Sequence, residues 1–443
     1  MQSPIVLPVL RRGRCPHCWA QFPSEEVLWV AAHADLIGDP KLGADQAQRF
    51  LPTRFTVEGN ALDTRGQVCH SLACPRCHLL LPRGLIEMEP FFVSILGTPG
   101  CGKSFFLTAM TWELRRILAL HFGITFMEAD TVLNRHLSEY EEALFLNARG
   151  DDLVPLGDLI RKTELQGELY DTVMQGGQAV TYPRPLVFTM QMQDHHPNSP
   201  LAHKLCRACC LYDNAGEHFL AGQDSPRSPV TQHLASAGVL LFLYDPTQDM
   251  RFRQLCESRR VGGAAIQAGR PMRQETVLME AAQRIRRYSG LSQTAKHNRP
   301  LIVIVTKWDS WVGLMQDKNV QEPWITPPNS KVARLDVGRI ERRSQEIRAL
   351  LMQTTPEMIA AAESFAQHVV YVPASALGRG PELDPRTQKL GIRPKNIRPL
   401  WASVPFIYGL YRGVPGLILP TSPTAINQAP APALGGAARN VRR

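Results

Sequence analysis

The sequence predicts a mainly parallel, doubly wound α/β sheet with helical insertions, preceded by a small cysteine-rich domain. Between residues 90 and 377, short apolar runs of strand length alternate with amphipathic stretches of helical period. The first of these runs ends in a glycine-rich turn that opens a helix. Upstream of it stand two Cys-Pro-x-Cys pairs, Cys15–Cys18 and Cys74–Cys77.

Residues 1–89 come first and hold five of the ten cysteines. A Cys-x-x-Cys tight turn aims two sulfurs at one ion, and two such turns complete the tetrahedral set that Zn²⁺ prefers. Cys15, Cys18, Cys74 and Cys77 are therefore the candidate ligands of a closed, structural zinc site. The 55 residues between Cys18 and Cys74 exceed the usual spacing and form an insert, which supplies Cys69 and His70 as rival ligands.

Phe91–Leu96 reads as a buried strand, and Lys103–Phe122 as a helix with Phe106, Leu107, Met110, Leu114, Ile117 and Leu118 at helical spacing. Ile124–Asp130 reads as a strand. From there to about Met174 the pattern is mostly helical, through Leu133, Leu137, Tyr140 and Leu144, then Leu159, Ile160, Leu169 and Val173. Leu186–Gln193 and Lys204–Tyr212 read as a strand hairpin, with His195 and His196 as solvated residues at its turn. Val239–Tyr244 is a central strand, and Arg251–Gly263 and Gln274–Tyr288 are basic helices. Leu301–Val305 is a buried strand, Ala333–Met352 an amphipathic helix and Val369–Val372 the last strand. Pro420–Arg443, rich in Pro, Ala and Gly, is expected to be disordered. The domain reading is a cysteine-knuckle domain over 1–89, a nucleotide domain with insertions over 90–378, a basic extension over 379–419 and a tail over 420–443.

The glycine-rich turn, Gly97-Thr98-Pro99-Gly100-Cys101-Gly102-Lys103-Ser104, satisfies G-x-x-x-x-G-K-[ST] between a strand and a helix, with Phe105 next. Glycines let successive N–H groups face one phosphate, and the helix adds its N-terminal dipole. Lys103 would reach the β- and γ-phosphates and Ser104 would ligate Mg²⁺.

Three later segments choose the base. Asp213-Asn214-Ala215-Gly216 has the form D-x-x-G after a strand. Asp213 would hold Mg²⁺ through water, and the Gly216 N–H would meet the γ-phosphate. Thr306-Lys307-Trp308-Asp309 follows the Leu301–Val305 strand. The Asp309 carboxylate can accept both guanine N1–H and N2–H₂, a donor pair that adenine lacks, while Lys307 would lie along the base. Ser375-Ala376-Leu377 follows the last strand, where the Ala376 N–H would meet guanine O6. All three sit at strand C-terminal ends, where ligands bind in open α/β sheets.

This set of motifs, spanning Phe91 to Leu377, resembles the P-loop GTPases of the Ras-like and translation-factor-like class. The resemblance implies a P-loop NTPase sheet, GTP and GDP as ligands and Mg²⁺ as cofactor. That family also carries a switch threonine ahead of the strand preceding D-x-x-G; Thr181 is the match, with Thr189 the weaker one. Ras-like members place Gln after the D-x-x-G glycine, whereas here Glu217 stands there, followed by His218. No arginine lies just before Thr181, so slow hydrolysis with help from a partner is expected. With the N-terminal knuckles, which look like a zinc ribbon, and Tyr212–Glu217, the chain more narrowly resembles the bacterial double-GTPase group. Those proteins are inferred to act in conflict or defence systems beside a second GTPase. The implied partner is a protein, either a second GTPase or an effector.

The composition, 44% apolar and 20% charged with Gly 32 and Pro 35 among 443 residues, excludes wholesale disorder and low complexity. No secretory signal and no run of 18 apolar residues is present, so a cytoplasmic protein is expected. In a reducing compartment Cys206, Cys209 and Cys210 read as core thiols. Of the net charge of +9, +8 falls between Gly378 and Arg443. That basic segment and the zinc ribbon are the candidate contacts for nucleic acid. The competing reading is therefore a zinc-ribbon adaptor for nucleic acid or protein whose nucleotide domain hydrolyses poorly.

Overall fold

The computed structural model describes residues 7–160, 170–213, 232–262, 272–385 and 387–421. Gly216, Glu217 and the tail from 422 onward, all named above, lie outside the described residues.

The protein is a mixed α/β structure around a seven-stranded sheet. Its strands are β1 (Glu89–Gly97), β2 (Ile124–Glu128), β3 (Leu186–Met192), β4 (Arg207–Asp213), β5 (Val239–Tyr244), β6 (Leu301–Val305) and β7 (Val369–Pro373). They lie in the order β2-β3-β4-β1-β5-β6-β7. The five strands from β4 to β7 pair in parallel, and β2 and β3 add an antiparallel edge. Every side chain of β5 and β6 is buried, as a parallel strand covered on both faces requires. From β1 the chain runs outward to β5, β6 and β7 on one side and to β4 on the other. The crevice for a ligand therefore opens at the C-terminal ends beside β1.

Successive strand residues face opposite sides. Phe91 meets the helix α7 (Val404–Gly413), where a Cβ at Gly413 would come within 2.7 Å of its ring. Phe92 faces the other way, under the Arg14 guanidinium at 5.3 Å and beside Tyr212 at 6.3 Å. The sheet is thus covered by α7 on one face and by the N-terminal cysteine region on the other.

Several expectations need correction. The stretch up to Met174 is not helical throughout. The helix α2 (Thr131–Phe145) is followed by a strand hairpin, Tyr170–Gln175 with Gln178–Pro183. Gly176 and Gly177 turn it with φ of +55° and +77°, the pair of positive values that a two-residue hairpin demands and glycine supplies. Val173 is buried on that hairpin. The β3–β4 connection is longer than a turn and carries a short helix, and His196 is buried there with Nε2 3.1 Å from the Leu417 carbonyl. The helix expected from Ala333 starts at Val337, because the Asp336 carboxylate caps it at the Arg339 N–H (2.9 Å) and Arg334–Leu335 is spent on a small strand pair.

Residues 379–419 are not an appendage. Val404, Phe406, Ile407 and Leu410 of α7 are buried in the main core, and Phe406 meets Phe126 edge to face at 5.9 Å. Part of the basic charge is matched locally: Arg379 and Arg393 reach Glu382, and Lys395 pairs with Asp151. Among the described residues no helix is long and apolar enough to cross a membrane.

Leu410→Ala removes a fully buried side chain from α7 and is expected to lower stability by about 2–5 kcal/mol in urea denaturation. A loss under about 1 kcal/mol would show that α7 is peripheral.

Candidate functional site

The glycine-rich turn leaves β1 at Gly97. A Cβ there would sit 2.7 Å from Cys101 Sγ and 2.9 Å from the Leu243 carbonyl oxygen, so the close pass beside β5 requires glycine. Gly102, at φ +89°, caps the helix α1 (Lys103–Ile117), and no side chain caps its first turn. The N-terminus of α1 thus opens directly from the glycine-rich turn. Lys103 is buried, and its ammonium donates to the carbonyls of Gly97 (3.0 Å) and Thr98 (3.1 Å). The Thr98 hydroxyl donates to Gln248 and Gln274. Pro99 and Gly100 lie outermost on the turn. Cys101 is buried, burial pushes its thiol up, and it acts as packing. Phe105 packs against a small cluster that includes Tyr140 and Leu144.

A carboxylate ends the strand on each side of β1, and the two differ. Asp245, after β5, accepts from the Thr247 N–H (3.0 Å) and hydroxyl (2.7 Å), and Lys307 Nζ lies 2.7 Å away. Asp213, at the end of β4, accepts from the Ser104 hydroxyl at 3.3 Å through Oδ2. Its Oδ1 is buried with no hydrogen-bond partner among the described residues. Burial pushes this carboxyl up, opposed by the Lys103 charge and the Ser104 hydrogen bond. An open, desolvated carboxylate oxygen beside a serine hydroxyl suits a hard divalent cation. Asp213 and Ser104 line one small cleft with Thr108, His136, Tyr140 and Arg184, and Arg184 is paired with Asp171 at 2.6 Å.

At the other end of the crevice Thr306–Asp309 and Ser375–Leu377 converge. Lys307 holds a left-handed backbone, φ +56°, a strained state for a residue with a Cβ and a recurrent one at functional sites. Behind it Thr306 bonds the Tyr244 carbonyl, and Trp311 Nε1 donates to the Thr306 carbonyl at 2.8 Å. Asp309 Oδ1 accepts from the Ser375 hydroxyl at 2.5 Å, and Oδ2 accepts from Ser310. Burial pushes the Asp309 carboxyl up against these two hydrogen bonds. The Ser375 backbone exchanges both hydrogen bonds with Leu400, and Trp401 packs on Trp308 at 5.4 Å. Ala376 is half-buried against the main core, and the Leu377 carbonyl accepts from the Arg398 N–H.

The four expected zinc ligands also converge. The sulfurs of Cys15, Cys18, Cys74 and Cys77 all lie within 4.8 Å of one another. Each Cys-Pro-x-Cys turn joins two short strands, and the residue after each, Trp19 and His78, is left-handed. Backbone N–H groups of His17, Cys18 and Arg76 point at the sulfurs of Cys15 and Cys74. Four thiols gathered with amides aimed at them could hold a metal ion such as zinc. Cys69 is buried outside this cluster with its sulfur toward the Gln67 carbonyl, and His70 is exposed, so neither belongs to it. Cys206, Cys209 and Cys210 are buried core thiols.

Thr181 is placed elsewhere. It sits on the 178–183 strand opposite Thr172, hydroxyl to hydroxyl at 3.2 Å, and does not line the cleft at Ser104. Sequence reasoning missed Asp245, although it directly follows the wholly apolar strand β5. It also missed Gln274, whose side chain bonds both the N–H and the C=O of Asp245, and no sequence signal marks that residue.

Purified protein is expected to carry one zinc per chain by elemental analysis, retained in Cys69→Ser and lost in Cys74→Ser; equal loss in both would break the assignment. Asp213 has a raised native pKa, so its folded form favours the proton, and its carboxylate costs stability as pH rises above the ordinary carboxyl range. Without magnesium, Asp213→Asn is therefore expected to raise Tm by about 1–3 °C at pH 8, a gain that shrinks toward pH 4. Compared with known proteins, the chain matches no family model and no curated relative.

Proposed function

We propose that this protein is a slow regulatory GTPase built on a P-loop domain behind a structural zinc ribbon. One observation carries the reading. Asp309 and Ser375, 66 residues apart in sequence, are hydrogen-bonded to each other at the same sheet edge as the glycine-rich turn. A carboxylate fixed by a neighbouring hydroxyl is oriented to accept the N1–H and N2–H₂ of guanine, and adenine offers no such pair. Lys307, tied to Asp245 and Thr247, would lie along the base. Lys103 would exchange its loop carbonyls for the β- and γ-phosphates. Ser104 and the open Oδ1 of Asp213 would hold Mg²⁺, which supplies charge neutralisation of the phosphates when bound.

The reaction is in-line attack of water on the γ-phosphate. Glu217 stands where related GTPases carry the water-orienting glutamine. A carboxylate there repels the phosphate, which favours slow turnover and dependence on a partner. The resemblance to the double-GTPase group assigns that partner to the class of a second GTPase or an effector.

Lys103→Ala removes a charge-assisted phosphate contact and is expected to weaken GTP binding about 10–100-fold by calorimetry. Asp309→Asn is expected to shift preference from GTP toward xanthosine triphosphate by about 5–150-fold. Unchanged base selectivity in Asp309→Asn would refute the guanine reading, and unchanged affinity in Lys103→Ala would refute the phosphate site.

A further inference from the structure

The first cysteine knuckle is joined to the residue next to Asp213. Tyr212 is buried, and its hydroxyl donates to the Pro16 carbonyl at 2.5 Å. The same oxygen accepts the Trp19 indole N–H at 3.1 Å. Pro16 lies inside the Cys15–Cys18 turn and Trp19 directly follows it. Below, the Tyr212 ring stacks on His233 at 4.4 Å, and His233 Nδ1 lies 2.7 Å from the Ser94 hydroxyl of β1. Tyr212 is therefore clamped between the cysteine turn and the strand that leads to the glycine-rich turn.

A second connection runs alongside. His17, within the same knuckle, lies 3.9 Å from the Asp171 carboxylate, which pairs with Arg184, and Arg184 lines the cleft with Asp213 and Ser104. Thus consecutive residues of one four-residue turn touch both the β4 end and the hairpin beside the cleft.

We propose that the metal-loaded cysteine centre is a positioning device for the cation-binding carboxylate. The metal fixes the Cys15–Cys18 turn, the turn grips Tyr212 through Pro16 and Trp19, and Tyr212 sets the end of β4 from which Asp213 faces the cleft. Tyr212 and Asp213 are adjacent on β4 and face opposite sides of the sheet, so a shift of the backbone at Tyr212 carries Asp213 with it. Tyr212 is a positioning residue here. This inference rests on the reading of Asp213 and Ser104 as a magnesium–nucleotide site.

The test uses the full chain with Tyr212→Phe, which keeps the ring and removes the hydroxyl, and Trp19→Phe as a second variant should the first fail to fold. Zinc content, fluorescent mant-GDP binding with and without magnesium, and amide exchange across 207–213 are measured on each. The expected result is retained zinc, magnesium-free binding unchanged and magnesium-dependent binding weakened about 5–30-fold. Zinc stripping of the unsubstituted protein is expected to reproduce that loss. Retained zinc with unchanged magnesium dependence overturns the proposal, as does equal weakening with and without magnesium, the mark of general damage. Should the unsubstituted protein bind no guanine nucleotide, the nucleotide reading falls and amide exchange decides the coupling. Faster exchange of 207–213 in zinc-stripped and Tyr212→Phe protein then supports it, and unchanged exchange overturns it.

Discussion

Most of the candidate site depends on one packing constraint, the parallel seating of β1 between β4 and β5. Register pairs Ile95 with Asp213 and Gly97 with Leu243, so β4 finishes just short of the glycine-rich turn and β5 just past its start. These strand ends place Asp213 and Asp245 on either side of β1 without any long loop having to reach in. Glycine at 97 is the local condition for this, since β5 backbone occupies the space a side chain would need. The apolar burial of β5 and β6 supplies the free energy that holds the strands in line.

The crevice gathers more buried charge than a core tolerates without partners. Lys103 is satisfied by carbonyls of its own loop and Asp245 by Lys307 and Thr247. Asp309 is met by two serine hydroxyls, which cannot neutralise it, and Asp213 by one. Burial holds both of these carboxyls above their ordinary range, and both are carboxyls that the functional reading assigns to ligands. On that reading a cation and N–H donors would relieve the residual cost that the empty fold bears.

Much of this was legible in the chain itself. β5 and β6 announce themselves because wholly apolar runs of five or six residues have one outcome in a covered parallel sheet, and both were read to the residue. The cysteine pairs and the Asp309–Ser375 meeting follow from short patterns whose chemistry demands convergence. What failed failed for physical reasons. The 170–183 hairpin was hidden because a helical apolar period in a short window also fits an exposed strand, and the Gly176-Gly177 turn outweighed it. Thr181 was placed by analogy of order along the chain, and pairing with Thr172 carried it to a different edge. α7 lay inside the segment read only as a basic extension, yet Gly409 and Gly413 let it lie close against Val239 and Phe91.

The bracing of the Ser375 and Trp308 segments by Leu400 and Trp401 bears on the order in which the protein can be made. Domains form as the ribosome releases them, amino end first. Here the Ser375 backbone finds its hydrogen-bonding partner, and Trp308 its aromatic neighbour, only when residues 400 and 401 have emerged. A nascent chain can therefore assemble its cysteine knuckles and glycine-rich turn early, while the corner where Asp309 meets Ser375 stays unbraced until residues 400 and 401 have emerged. That corner is completed by a segment made well after the two loops it holds together.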